Sequence, residues 1–450
     1  MKSRTLNMTE GNPVQLLLVF AVPMLIGNIF QQLYNLVDSV IVGKFVGADA
    51  LAAVGATGSV SFLFFALCNG LGSGGGIITA QQFGAGNKEN VKKAIINSAY
   101  ILVIGSILMG AVAFAISEWI LVAMATPQEI LRASIIYMRI QCIGLPLVAI
   151  YNHSSSMLRA LGDSRTPLYF LIFSCILNVG LDLWFVVGFG MGVFGVAFAT
   201  LLAQLVSGVG CLLYALKFNE YFKFEKHHFR PEKQMLYGTV RLGVPLSLQF
   251  SLIAISCMVL QRVVNGFGAT VMAAFTAVSR VEQLLHQPYG TLSAALSTYS
   301  GQNLGAKNLD RIKLGFKKAM GMMTIFSIAM LPVMQFGSEA IVKVFVNDPE
   351  VIAYGAAAMR ITSWFYIFLG MIYMTRGVLN GVGDAMFALI NGIVEVVGRI
   401  IIPVLLVSIP FVGVWGIWIS TGLVWAVSAL FCVLRYISWR KKNPLMSGMV

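Results

Sequence analysis

Four acidic side chains stand inside otherwise apolar stretches of this chain: Asp38, Asp182, Glu282 and Glu395. A carboxylate on a membrane helix is costly to keep charged and marks an ion or proton route. Counting back along ideal helices, Asp38 and Asp182 both lie roughly 6–8 Å inside the ends of their stretches. Asn178 precedes Asp182 by one turn on the same face. Thr200, in the next stretch, lies roughly 12 Å in from the same rim. Two carboxylates, an amide and a hydroxyl in one band can share a proton, with the amide bonding the charge that remains. The same oxygens suit a small hard cation such as Na+. A hydrogen-bonded structural cluster is the plainer alternative.

Glu282 and Glu395 lie about ten residues into their own stretches, near the middle of a helix of that length. Arg399 follows Glu395 by one turn, so internal pairing competes with a functional role there. Arg280 is two residues from Glu282 and faces another direction, which leaves Glu282 the freer acid. The four histidines (His153, His227, His228 and His286) have no sequence neighbours that make a nucleophile–base set. The six cysteines, scattered in apolar stretches, show no CxxC or Cys/His spacing and read as small core residues, so no metal site is expected. NGLGSGGG at 69–76 lacks the lysine of a phosphate-binding loop and reads as close helix packing.

The elements that must hold these groups are membrane helices. Of 450 residues, 58% are hydrophobic and 11% charged, against about a quarter charged in soluble domains. Hydropathy and breaker residues give twelve spans: 14–42, 51–81, 92–116, 131–152, 166–187, 192–216, 236–264, 272–301, 312–336, 351–375, 385–408 and 412–437. The first, too long for a signal-peptide core, is expected to be retained. It carries Pro23, which removes one backbone hydrogen bond and favours a bend fifteen residues before Asp38. Most of the 31 basic residues fall in alternate loops, which puts both termini in the cytoplasm and explains the net charge of +13 without a nucleic-acid partner.

The chain repeats itself at an offset of 221 residues. QQFGAGN at 81–87 matches QNLGAKN at 302–308, Gly162-Asp163 matches Gly383-Asp384, and GVFG at 192–195 matches GVWG at 413–416. Each half carries six spans, so the repeat is parallel, with a pseudo-two-fold axis along the membrane normal, an arrangement typical of transporters. The expected organisation is an N-terminal six-helix lobe (1–216), a linker (217–235), a C-terminal six-helix lobe (236–437) and a tail (438–450). The acids are not duplicated: Asp38, Asp182, Glu282 and Glu395 face Val259, Pro403, Ser61 and Ser174 in the repeat register. The two lobes therefore have different jobs.

Twelve spans in two homologous bundles, the repeated QxxGA(G/K)N loop, and LRALGDSRTP at 158–167 recurring as LNGVGD at 379–384 resemble the multidrug and toxic-compound extrusion (MATE) family. The resemblance covers essentially the whole chain and is closest to the DinF-like and MepA-like prokaryotic members. It implies an all-α polytopic fold and assigns a proton or cation site to Asp38, Asn178, Asp182 and Thr200, with a possible Na+ at the first three. It also assigns a hinge to Pro23. The spans corresponding to 7 and 10 lack the acids that another branch uses for sodium.

The expected function is a cation-coupled antiporter, with H+ favoured over Na+ and no other cofactor, exporting drug-like organic compounds from a bacterial cytoplasmic membrane as a monomer. FQQLYN at 30–35 and QLLHQPY at 283–289 supply the expected substrate cavity, with Gln31, Tyr34, Asn35, Gln283 and Gln287 joined by Glu282 and Glu395. Flexible apolar and aromatic walls suit aromatic cations. A flippase for lipid-linked sugars in the same superfamily is the alternative; it would need cavity cations, for which Arg139, Arg360 and Arg399 are the candidates. A membrane-embedded transferase, the rival of another class, lacks its nucleophile.

Overall fold

The computed structural model describes residues 5–124 and 126–442, without the side chains of Ala254, Cys257 and Met258. Lys2, Arg4, the Cys257 side chain and the tail beyond 442 thus lie outside the described residues.

Fourteen α-helices make up these residues. In the first half they are α1 (Pro13–Ile41), α2 (Ala48–Gly84), α3 (Lys88–Ala115), α4 (Ser117–Ala123), α5 (Gln128–Ala160), α6 (Arg165–Asp182) and α7 (Gly192–Phe218). In the second half they are α8 (Lys233–Asn265), α9 (Ala269–Gly305), α10 (Leu309–Lys343), α11 (Pro349–Ser363), α12 (Tyr366–Gly381), α13 (Ala385–Val407) and α14 (Gly416–Lys442). Nine helices are individually long and apolar enough to cross a membrane, and α11 with α12 form a broken tenth. The 33-residue α8 and 37-residue α9 complete twelve. The tenth span, expected over 351–375, is not one straight helix: it bends by 54° between Ser363 and Tyr366. There Phe365 packs on Gly422 of α14, where a Cβ would lie 2.3 Å from its ring. The last helix also continues beyond 437, to Lys442.

The duplication is visible in the backbone. Positive φ angles recur at the repeat offset, at Gly47 and Gly268, Gly86 and Lys307, Gly162 and Gly383, and Gly192 and Gly413. The asparagine closing each QxxGA(G/K)N loop caps the next helix: Asn87 accepts from the Asn90 amide at 3.0 Å, and Asn308 from that of Arg311 at 3.3 Å. These side chains satisfy amides that the first turn leaves unpaired, so the repeated motif is first a helix-capping device.

The chain divides into two compact units, and two of their three borders fall inside helices. The first comprises the chain up to Asn7 with Val22–Ser247; the second comprises Met8–Ala21 with the chain from Leu248. One border thus lies beside Pro23 in α1 and the other beside Pro245 in α8. The linker packs wholly with the first unit, because Tyr221 and Phe222 are buried against Val91, Ile95 and Leu158. In this unit Leu6 donates to the Leu161 carbonyl at 3.1 Å, and a Cβ on Gly162 would meet the Leu6 oxygen at 2.3 Å. In the second unit Met8 is buried, its amide donating to Gln302 Oε1 at 2.8 Å and its carbonyl accepting from Asn303 and Arg311. The glycines of NGLGSGGG serve packing: a Cβ on Gly74 would lie 2.5 Å from the Gly243 amide nitrogen, and one on Gly75 2.5 Å from Ser98. Such contacts let helix backbones approach closely.

Candidate cation-coupling site

Both N-half acids occupy helix ends that change their winding. α1 passes at Ile41 into a π-helical turn over Val42–Val46, and α6 passes at Asp182 into another over Leu183–Gly188. Widened turns of this kind re-aim side chains and occur often at functional sites. Val42 from the first turn and Val186 from the second are buried in one cluster with Tyr137, Ile140, Val196 and Ala197. That cluster fixes the ends of α1 and α6 against α5 and the start of α7. The Val196 carbonyl, one turn into α7, then accepts from Thr200 Oγ1 at 3.1 Å.

On this frame the four expected residues converge. The Asp38 and Asp182 carboxyls are close enough to act directly on each other. Asn178 Nδ2 donates to Thr200 Oγ1 at 3.4 Å. Asp182 and Asn178 are fully buried, Asp38 and Thr200 partly so. The Oδ1 atom of Asp38 is buried and takes no hydrogen bond from the described residues. Buried acceptors are ordinarily bonded, so this atom is suited to meet a proton or ion.

Next to the acids is a small cavity lined by Gln31, Tyr34, Leu171, Asn178, Thr200 and Gln204 among others. Tyr34 belongs to both features, since its hydroxyl bonds to Thr200 while its ring lines the cavity. Gln31 and Tyr34 thus fall where the sequence puts a binding cavity, whereas Asn35 is exposed. Sequence reasoning missed Tyr137, a buried phenol bonded to Gln141 and close enough to act on both carboxylates. Its signal is weak, because no charge or motif marks it in α5.

The second unit departs further from expectation. Glu395 is buried and pairs with Arg376 of α12, a partner that helical spacing did not suggest. Ser428 also donates to Glu395 Oε1, at 3.1 Å. Arg376, one residue beyond the expected tenth span, is therefore an interior residue. A cation nineteen positions away is invisible to helical spacing, yet it meets Glu395 where α12 and α13 pack together. Glu282 keeps one buried oxygen, Oε1, with no hydrogen bond among the described residues. The Arg399 guanidinium is close enough to act on it electrostatically. His286, one turn along from Glu282, went unrecognised; its Nε2 is buried without a partner among the described residues, and its ring lies edge-on to Tyr373 and Trp425. Gln283 is exposed, and Gln287 donates to the Gln283 carbonyl at 3.2 Å.

A membrane bundle with a duplicated helix plan and one titratable cluster in its first half defines the class of protein. The MatE family model matches residues 23–184 and 245–405, one stretch in each half. The chain belongs to the MatE family. It is 27% identical to the "Probable multidrug resistance protein YoeA" of Bacillus subtilis over 94% of each chain. It is 24% identical to the "Multidrug export protein MepA" of Staphylococcus saprophyticus over 92% of this chain and 90% of the relative. Among solved structures, a MATE protein in the straight conformation superposes with TM-score 0.91 at 24% identity, over 98% of this chain and all of that one. The bent conformation superposes equally well, over 98% and 99%. A superfamily transporter of Pyrococcus furiosus, titled as having a binding pocket of reverse polarity, gives 0.90 at 23% identity over all of both chains.

Proposed function

We propose that the protein is a proton-coupled antiporter exporting drug-like organic cations, with Asp38, Asp182, Asn178 and Thr200 as its coupling site. The observation that carries this reading is the close approach of two carboxyls, Asp38 and the fully buried Asp182, beside a cavity lined by Tyr34, Asn178 and Thr200. Two neighbouring carboxyl groups with few other anionic oxygens share a proton readily, whereas a Na+ site draws several oxygens around the metal. Hence H+ is favoured over Na+ as the coupling ion.

In the outward-open state the pair takes up a proton from outside. Its loss of charge favours bending of α1 at Pro23, where one backbone hydrogen bond is already missing, and the bend expels substrate from the adjoining cavity. The straight and bent conformations solved for relatives support such a movement. Substrate binding from inside drives the return, and each ligand does so only through its different affinity for the two states. An aromatic cation suits Tyr34 and Gln31, and the relatives' names point to multidrug export. Basic loops alternating with loops poor in Lys and Arg favour a cytoplasmic membrane with both termini inside.

The flippase alternative is weaker. Two of its three candidate cations are engaged at helix ends, Arg139 donating to Ser117 at 3.0 Å and Arg360 to Glu339 at 3.0 Å. The test is dye efflux from everted vesicles energised in turn by a pH gradient and by a sodium gradient. Efflux should follow the pH gradient; efflux that follows sodium alone, or neither gradient, would overturn the reading.

A further inference from the structure

The linker ends in a side-chain constellation that transport does not use. Its 3₁₀ turn, Lys226–Phe229, carries adjacent histidines, and both point at Glu89 in the first turn of α3. His227 Nε2 lies 2.9 Å from Glu89 Oε2, and His228 Nε2 lies 2.8 Å from the same oxygen. The two imidazoles lie side by side, tilted by 35°, with centroids 3.9 Å apart. His228 is fully buried, while the other two are about half exposed and open to solvent. One carboxylate oxygen and two imidazole nitrogens, all within 4.8 Å of one another, are a ligand set of nitrogen–oxygen type.

We propose that Glu89, His227 and His228 form a binding site for a divalent first-row transition cation of the Zn2+ class. Two imidazoles and a carboxylate, with a water in the fourth position, match the donors that such cations favour over Mg2+ or Ca2+. Tetrahedral coordination sets ligand atoms ~3.3 Å apart, so each nitrogen need draw back from the Glu89 oxygen by only a few tenths of an ångström.

The outer contacts also fit. A metal-bound imidazole donates its other ring N–H to a carboxylate or carbonyl. Glu225 offers both: its Oε2 lies 3.6 Å from His227 Nδ1, and its backbone oxygen 3.3 Å from His228 Nδ1. His228 Nδ1 now accepts from the Glu225 amide at 2.8 Å. Metal binding at Nε2 moves the proton to Nδ1 and exchanges that bond for the one to the Glu225 carbonyl. The turn is held in place on either side. Tyr100 donates to the Phe229 carbonyl at 2.9 Å, the Glu232 amide donates to Asn97 at 2.8 Å, and Lys93 pairs with Glu232 at 2.7 Å. Of the nearby cations, Lys88 is drawn off to Glu220 at 3.2 Å, and Lys92 acts on Glu89 only at longer range. A bound ion would cross-link the linker to α3.

The experiment uses the full-length chain in detergent with any polyhistidine tag removed, treated with chelator and then titrated with Zn2+ and, for its visible spectrum, Co2+. We expect one ion per chain and the intense absorption of tetrahedral Co2+. Glu89→Gln and His227→Ala should each weaken binding by about ten- to a hundredfold, while Glu220→Gln should leave it unchanged. His227 is half exposed, so its variant tests the site even if replacing the buried His228 prevents folding. Absence of stoichiometric binding, or binding of equal strength in Glu89→Gln and His227→Ala, would overturn the proposal.

Discussion

Asp38 of α1 and Asp182 of α6 are 144 positions apart in the sequence and neighbours in the fold, their carboxyls close enough to act directly on each other. Each stands at the approach to a π-helical turn, and valines from the two turns are buried in the same cluster. The acids are thus held by packing, not by a mobile loop, as a preorganised ion site requires.

Neutralising either acid should uncouple the transporter. Asp38→Asn and Asp182→Asn are expected to insert and fold, because the amide keeps shape and hydrogen bonding, yet to lose active dye efflux. Wild-type efflux rates in either variant would remove the pair from the mechanism.

Tyr34 links the acids to the cavity through Thr200. Tyr34→Phe keeps the ring and loses a hydrogen bond worth about 1 kcal/mol. Maximal efflux should fall several-fold at a limiting pH gradient, with little change in the KM for aromatic cations. Tyr34→Ala should raise that KM as well. Measured KM and maximal rate separate the two effects.

Sequence reasoning reached the N-half site because its parts obey helical arithmetic. Asn178 and Asp182 share a face, and depth along a helix follows from counting residues. The second half resisted for equally physical reasons. The Arg376–Glu395 pair joins α12 to α13 across nineteen positions, beyond the reach of helical spacing, and Glu89 meets His227 only because the linker folds back on α3. The unit borders inside α1 and α8 were also hidden, since hydropathy sees each as one unbroken apolar run.

The buried Arg376–Glu395 pair is expected to matter to stability more than to coupling. Arg376→Ala leaves a buried carboxylate uncompensated, at a cost of about 3–5 kcal/mol. Arg376→Met with Glu395→Gln removes both charges and should recover most of that loss. Thermal unfolding in detergent of the single and double variants checks the order; a double variant no more stable than Arg376→Ala would contradict it.

Glu282 offers a buried oxygen with no hydrogen bond among the described residues and is expected to favour cationic over neutral substrates. With Glu282→Gln, affinity for a permanent cation should fall by about 1–3 kcal/mol, the scale of a charged hydrogen bond. A neutral analogue of similar shape should bind as before. Equal losses for both would make Glu282 a structural residue, held by Arg399 or Thr362.

The central claim is that the Asp38–Asp182 pair carries the coupling proton, and proton flux during transport tests it most directly. In proteoliposomes holding a pH-sensitive dye, adding an organic cation to the wild type should move protons against the substrate, with or without sodium. Asp182→Asn should bind the same substrate and move no protons. Substrate-driven proton movement that survives in Asp182→Asn, or wild-type exchange that requires sodium, would contradict the account.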